Sequence, residues 1–218
     1  MAADGTRLLS AESAAAMAAH QADLPDQWSL GDSWGLGWIR YDWHGARLVG
    51  HDGGTFGQGA FLRLLPGPQQ GEGLTVALLT NGGGMVDLYE DLYRELFAEL
   101  AGVTVPDPLD PPAEPPAQDL SRFVGRYERH SVEIEVFEQD GGLVLRQTAV
   151  GAVAEATGQP VQEHALVPVS DGVFALRAVG RSGWSAVTFY ALPDGSRYVH
   201  TGGRANPRTT RPEEGPTR

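Results

Sequence analysis

The sequence predicts an α+β fold in two parts, an antiparallel sheet with helices followed by a small all-β barrel or sandwich. Three observations predict it. The hydrophobic period is mixed before residue 103 and close to two after residue 119. Between these parts, Val105 to Gln118 holds six prolines in 14 residues, the composition of an extended, semi-rigid linker. The charge also divides there: residues 1–117 carry 16 acids and 5 arginines (net −11), residues 118–218 carry 12 acids and 11 arginines (net −1). The division is therefore read as 1–103, a linker at 104–118, 119–202, and a disordered tail at 203–218 with three prolines and four arginines.

In the first part, Ser10 caps a helix over Ala11 to His20, a run of good helix formers. Gln21 to Asp32 has no period and reads as a loop. Trp34 to Asp42 alternates as a strand, turns at His44-Gly45, and pairs with Arg47 to Val49 as a hairpin. Gly59 to Leu65 is a third strand, and the nearly all-apolar Leu74 to Thr80 a fourth, expected to be buried on both faces. Met85 to Ala101 is a helix, because Leu88, Leu92 and Leu96 recur every fourth residue and Gly102 can end it. In the second part, strands are expected at 123–129, 131–138, 142–149, 162–169, 172–178, 185–192 and 197–201, separated by Asp-Gly turns.

Composition narrows the function classes. A net charge of −12 argues against nucleic acid or an anionic membrane as a partner. No apolar run approaches the roughly 20 residues of a membrane span. The N-terminus has no basic, apolar leader, so the sequence as it stands is expected in the cytoplasm, and outside it if it belongs to a longer exported chain. Cysteine is absent, and the six histidines include no pair spaced three to five apart, so no metal and no cofactor are expected. There is no lysine anywhere, which excludes a P-loop, and the glycines at 53, 54, 57 and 59 do not fit Gly-x-Gly-x-x-Gly.

The segment that carries chemistry is Gly50-His51-Asp52-Gly53-Gly54-Thr55-Phe56-Gly57. It places a histidine and an aspartate at the end of a strand, followed by glycines whose backbone N–H groups a ligand can approach closely. A histidine can serve as acid or base at neutral pH, and Asp52 beside it would favour the protonated ring. Taken alone, the segment also reads as a glycine-rich hairpin turn with His51 on the surface. Arg126, His164 and His200 are weaker candidates for a ligand inside the barrel.

The surrounding order is more specific. Trp34-Gly-Leu-Gly-Trp38, the His51 segment after a hairpin, Phe61-Leu-Arg-Leu-Leu-Pro66, Val76-Ala-Leu-Leu-Thr-Asn81 and a final helix resemble the C-terminal part of serine β-lactamase-related hydrolases. That group includes class C β-lactamases, penicillin-binding proteins and esterases. The resemblance implies that His51-Asp52-Gly53 fills the family's Lys/His-x-Gly triplet on the strand lining the active site. It implies that Gly54 donates an oxyanion-hole N–H, with Thr55 beside it. The candidate catalytic residues are thus His51, Asp52, Gly53, Gly54 and Thr55. Residues 119–202, opening on Phe123-Val-Gly-Arg-Tyr127, resemble the lipocalin-like barrel that often follows in such proteins.

One departure is large. The family's Ser-x-x-Lys and Tyr-x-Asn motifs lie upstream of the matched region, and nothing here fits either: Ser10 is followed by Ala11, Glu12 and Ser13. Without that lysine a serine hydroxyl is a weak nucleophile at neutral pH. The resemblance therefore describes a truncated β-lactamase-like sheet. Two functions follow. The first is part of an acyl-transfer hydrolase for an ester, amide or β-lactam, whose partner is a complementary N-terminal half chain or a second copy. The second is a non-hydrolytic protein whose barrel takes a small-molecule ligand.

Overall fold

The computed structural model describes residue 6 and residues 8–55, 57–68, 72–158 and 161–209. The chain divides into two units, Met1–Pro108 and Leu109–Arg218. The proline-rich segment is shared between them rather than free. Val103 and Val105 pack on the core of the first unit, while Leu109 is buried with Ala175 and Ala186 in the second.

The first unit runs α1 (Ala11–Ala18), β1 (Ala22–Asp23), α2 (Gln27–Leu30), β2 (Ser33–Trp34), β3 (Ile39–Trp43), β4 (Ala46–Thr55), β5 (Gln58–Pro66), β6 (Gly73–Thr80) and α3 (Met85–Ala101). The six strands form one antiparallel sheet in chain order. Ser10 caps α1, its hydroxyl accepting from the Ser13 N–H at 3.0 Å. The expected loop at 21–32 instead holds β1 and α2, because Asp26 accepts from the Trp28 and Ser29 N–H groups and starts a helical turn. The single strand expected over Trp34 to Asp42 is two strands, broken where Gly37 adopts φ +78°.

Helix α3 ends as its sequence requires: Gly102 is left-handed, and the Gly102 and Val103 N–H groups return to the Ala98 and Phe97 carbonyls. Tyr93 and Phe97 of α3, both 0 % exposed, pack on Trp43, Leu48 and Phe61. The Tyr93 hydroxyl donates to the Phe61 carbonyl at 2.7 Å, tying helix to sheet. Strand β6 is not buried on both faces. Leu74, Val76 and Leu78 pack under α3, while Thr75, Ala77 and Leu79 alternate onto the far face, where Leu79 is 79 % exposed.

The second unit contains β7 (Gly125–Arg129), β8 (Val132–Gln139), β9 (Gly142–Ala149), α4 (Ala152–Thr157), β10 (Val161–Ser170), β11 (Val173–Arg177), β12 (Trp184–Ala191), β13 (Arg197–Thr201) and β14 (Arg204–Thr209). Each strand pairs antiparallel with the next and β14 returns to β7, closing an eight-stranded barrel. Closure leaves no free sheet edge. The tail expected to be disordered from Gly203 is therefore strand through Thr209, with Pro207 opposite Tyr198; residues 210–218 lie outside the described residues. Phe123, Tyr127, Ile134, Val136, Leu143, Leu145, Phe174 and Val187 are among the side chains that fill the core. The fold class is α+β, a helix-covered antiparallel sheet followed by a small barrel.

Candidate active site

The β3–β4 hairpin turns at His44 and Gly45, both with positive φ (+53° and +93°), as a two-residue turn requires. From there β4 runs straight through the His51 segment, so the motif lies within a strand and not after it. Pairing with β3 stops at Ile39 opposite Gly50, whereas pairing with β5 continues from Val49 to Thr55. Among the described residues, His51 to Thr55 is thus paired on the β5 side only. Its other edge is open to a ligand or another chain.

Alternation along β4 sends Leu48, Gly50 and Asp52 toward α3, and Val49, His51 and Gly53 to the opposite face. Asp52 therefore does not sit beside the imidazole as expected. Its carboxylate takes a bidentate grip from Arg63 on β5, with Nη1–Oδ1 at 2.6 Å and Nη2–Oδ2 at 2.9 Å. Arg63 is only 2 % exposed, and it also donates to the Leu62 carbonyl at 2.8 Å and the Tyr89 hydroxyl at 2.7 Å. Its guanidinium lies 4.1 Å from the Tyr41 ring centroid and 5.0 Å from that of Tyr89. A planar fork that matches both carboxylate oxygens and stacks on rings is what arginine offers and lysine does not.

Burial shapes the titration of this cluster. The Tyr89 hydroxyl is pushed up to about 12, chiefly by burial, against the opposing field of Arg63. Burial raises Tyr41 and Tyr93 as well. Burial alone would lower Arg63, but its bond to Asp52 and the fields of Tyr89 and Tyr41 outweigh this and hold it above its ordinary value. The guanidinium is charged at every working pH. Neither Arg63 nor Tyr89 stood out from the sequence as a site residue. The available signal was one arginine in an apolar strand, in phase with the face that α3 covers.

His51 is exposed. Its Nδ1 lies 2.7 Å from the Asp52 carbonyl oxygen, and its ring meets that of Trp34 edge-on at 5.6 Å. The end of β4 (Gly53, Gly54, Thr55), the start of β5 (Gln58, Gly59, Ala60) and the end of β6 (Leu79, Thr80, Asn81) line an open groove of about 530 Å³. The structure thus brings Gly53, Gly54 and Thr55 to one groove, leaves His51 outside its lining, and turns Asp52 to the other face. Asn81, read from the sequence as a turn former, is part of the groove wall.

The weaker barrel candidates do not meet inside the barrel. Arg126 is exposed, alternates with the core residue Tyr127 and pairs with Glu135 at 3.6 Å, whereas His164 is half-buried opposite the core residue Leu145, 3.1 Å from the Arg177 carbonyl. His200 is buried but alternates with the core residue Val199. Among the described residues no group of three or more His, Cys, Asp or Glu is placed to hold a metal, and no helix is long and apolar enough to cross a membrane.

The sheet order, the strand-borne triplet and the final helix agree with a comparison of sequences, in which residues 1–100 match the Beta-lactamase family model. Residues 1–100 are β-lactamase-related. Over 84 residues, 38% of this chain and 21% of the relative, the sequence is 50% identical to penicillin-binding protein 4 of Amycolatopsis lactamdurans. Two crystal structures of SurE, one of them with D-Leu, share the fold. Their TM-scores are 0.62 (with D-Leu) and 0.63, at 26% and 27% identity. Each match covers 93% of this chain, more than the β-lactamase-related unit alone contains, but only 44% and 43% of the SurE chain. The chain thus spans less than half of SurE and about a fifth of the penicillin-binding protein.

Proposed function

We propose that the β-lactamase-related unit supplies one wall of an acyl-transfer site, for an ester, amide or β-lactam, and that the serine nucleophile and its lysine come from a part of the fold outside this sequence. The observation that carries this reading is the His51–Thr55 strand segment, open along one edge and ending in the glycine-lined groove. An extended substrate can pair with that edge, while Gly53 and Gly54 let its carbonyl approach backbone N–H donors. His51, exposed at the start of this segment, is the proton-handling group. The D-Leu in one SurE structure supports a peptide bearing a D-residue as the substrate.

The complementary part is proposed to seat on the sheet face opposite α3. There Val49, Leu62, Leu64, Ala77 and Leu79 form an apolar surface, and such a face is costly to leave in water. The alternative, a small-molecule ligand inside a lipocalin-like barrel, meets an interior already filled by apolar side chains.

The test is reconstitution. The full chain alone is expected to show no turnover of nitrophenyl esters or a chromogenic cephalosporin, and no labelling by a fluorophosphonate. Mixed with a separately expressed N-terminal part of a β-lactamase-family protein, chosen because it carries Ser-x-x-Lys and Tyr-x-Asn, it is expected to gain both. His51→Ala in the complex is expected to lower kcat by about 10²–10⁴-fold while the two parts still associate. Turnover by the chain alone, or full activity of the His51→Ala complex, overturns the reading.

A further inference from the structure

We propose that Arg63 is a positioning residue for His51: by clamping Asp52 it holds the backbone carbonyl that fixes the imidazole as the Nδ1–H tautomer and presents Nε2 as a hydrogen-bond acceptor at the open edge of β4. The inference rests on the acyl-transfer reading for its use, but its geometry stands apart from it. A carbonyl oxygen only accepts, so the 2.7 Å contact between His51 Nδ1 and the Asp52 oxygen puts the ring proton on Nδ1. Free imidazole side chains favour the other tautomer in water, so a local bond must reverse that preference.

The carbonyl in question belongs to the peptide between Asp52 and Gly53. A Cβ on Gly53 would meet nothing within 4 Å, so no side chain restrains that peptide from its glycine end. Nor does the sheet hold it on the open edge, where β3 has already ended. The restraint comes from Asp52. Arg63 grips both of its carboxylate oxygens, at 2.6 and 2.9 Å, and is itself fixed by the Leu62 carbonyl and the Tyr89 hydroxyl. The edge-on Trp34 ring limits swing of the imidazole. Arg63 touches neither the groove nor the imidazole, so it acts only through Asp52.

The experiment is imidazole nitrogen NMR on the full chain at about pH 8.5, two units above the ordinary histidine pKa. The His51 resonances are those lost in His51→Gln. Wild-type His51 is expected in the Nδ1–H form. Asp52→Asn and Arg63→Lys are each expected to raise the ratio of Nε2–H to Nδ1–H about two- to tenfold, the range that a net hydrogen bond allows. Arg146→Lys, in the surface ion pairs of the barrel, is expected to leave the ratio unchanged. Lower thermal stability with an unmoved ratio would make the clamp structural only and overturn the proposal, as would Nε2–H in the wild type. If Arg63→Lys does not fold, Asp52→Asn decides. Because no turnover is read, a failed reconstitution and a failed tautomer shift are separate results.

Discussion

Gly50 and Gly53 lie three residues apart on one strand, yet the fold needs them for opposite reasons. A Cβ on Gly50 would collide with the Leu62 carbonyl oxygen and come within 3.2 Å of Arg63 Cδ, so β5 can approach only because the side chain is missing. That carbonyl also accepts from Arg63. A Cβ on Gly53 would meet open space, and its φ is not in the left-handed region. Nothing inside the described unit asks for glycine at 53, which fits a demand set by what approaches from outside. Gly50→Ala is therefore expected to destabilise the β-lactamase-related unit by about 1–3 kcal/mol, and Gly53→Ala by less than about 0.5 kcal/mol. Urea unfolding followed by tryptophan fluorescence checks this, since four of the five tryptophans lie in that unit. Equal losses at the two positions would remove the distinction. At this scale the triplet was legible because short glycine motifs are read directly. The Arg63 clamp was not, because it depends on strand register and on which face α3 covers.

At the scale of elements, α3 is held to the sheet by a layer of buried tyrosines, and that layer sets an alkaline limit. Burial raises Tyr89 to about 12 and raises Tyr41 and Tyr93, whereas an unfolded chain ionises its tyrosines near 10. Above pH 10 the unfolded state has released protons that the folded state keeps, so stability must fall as pH rises. The tyrosine contribution is fully present below about pH 10 and is lost through about pH 12. Urea midpoints at about pH 9 and 11 are expected to differ in the wild type and to differ less in Tyr89→Phe; an identical difference would remove Tyr89 from the cause. Elements with strong local signals were legible. The sequence places α3 at Met85–Ala101, as observed, because its apolar period ends at a left-handed glycine. The seven barrel strands expected from their period of two are all present. What local pattern hid was decided by tertiary pairing. β4 continues through its glycines because β5 holds it, and β6 is apolar without being covered on both faces.

For the whole molecule, the decisive residue is Leu109, within the proline-rich stretch. Six prolines predict an extended linker, and Val103 and Val105 do pack with the first unit. Leu109, however, is 6 % exposed and packs on Ala175 and Ala186 of the barrel, with Val169 and Trp184 around them. Gln118 adds bonds across the β10–β11 turn, accepting from the Gly172 N–H at 3.3 Å and donating to the Ser170 carbonyl at 3.5 Å. Proline content reports how stiff a segment is, not whether one leucine in it finds a seat. The barrel should therefore begin at 109, not at 119. Closure removes its sheet edges, and its core is filled by its own side chains, so a fragment of residues 109–218 is expected to fold alone in one cooperative transition. A fragment of residues 119–218 is expected to fold too, but to be less stable by about 1.5–3 kcal/mol, the usual effect of burying one leucine. Urea unfolding of the two fragments measures the difference. Equal midpoints would return Leu109 to the linker, and a 109–218 fragment without a cooperative transition would deny the barrel its independence.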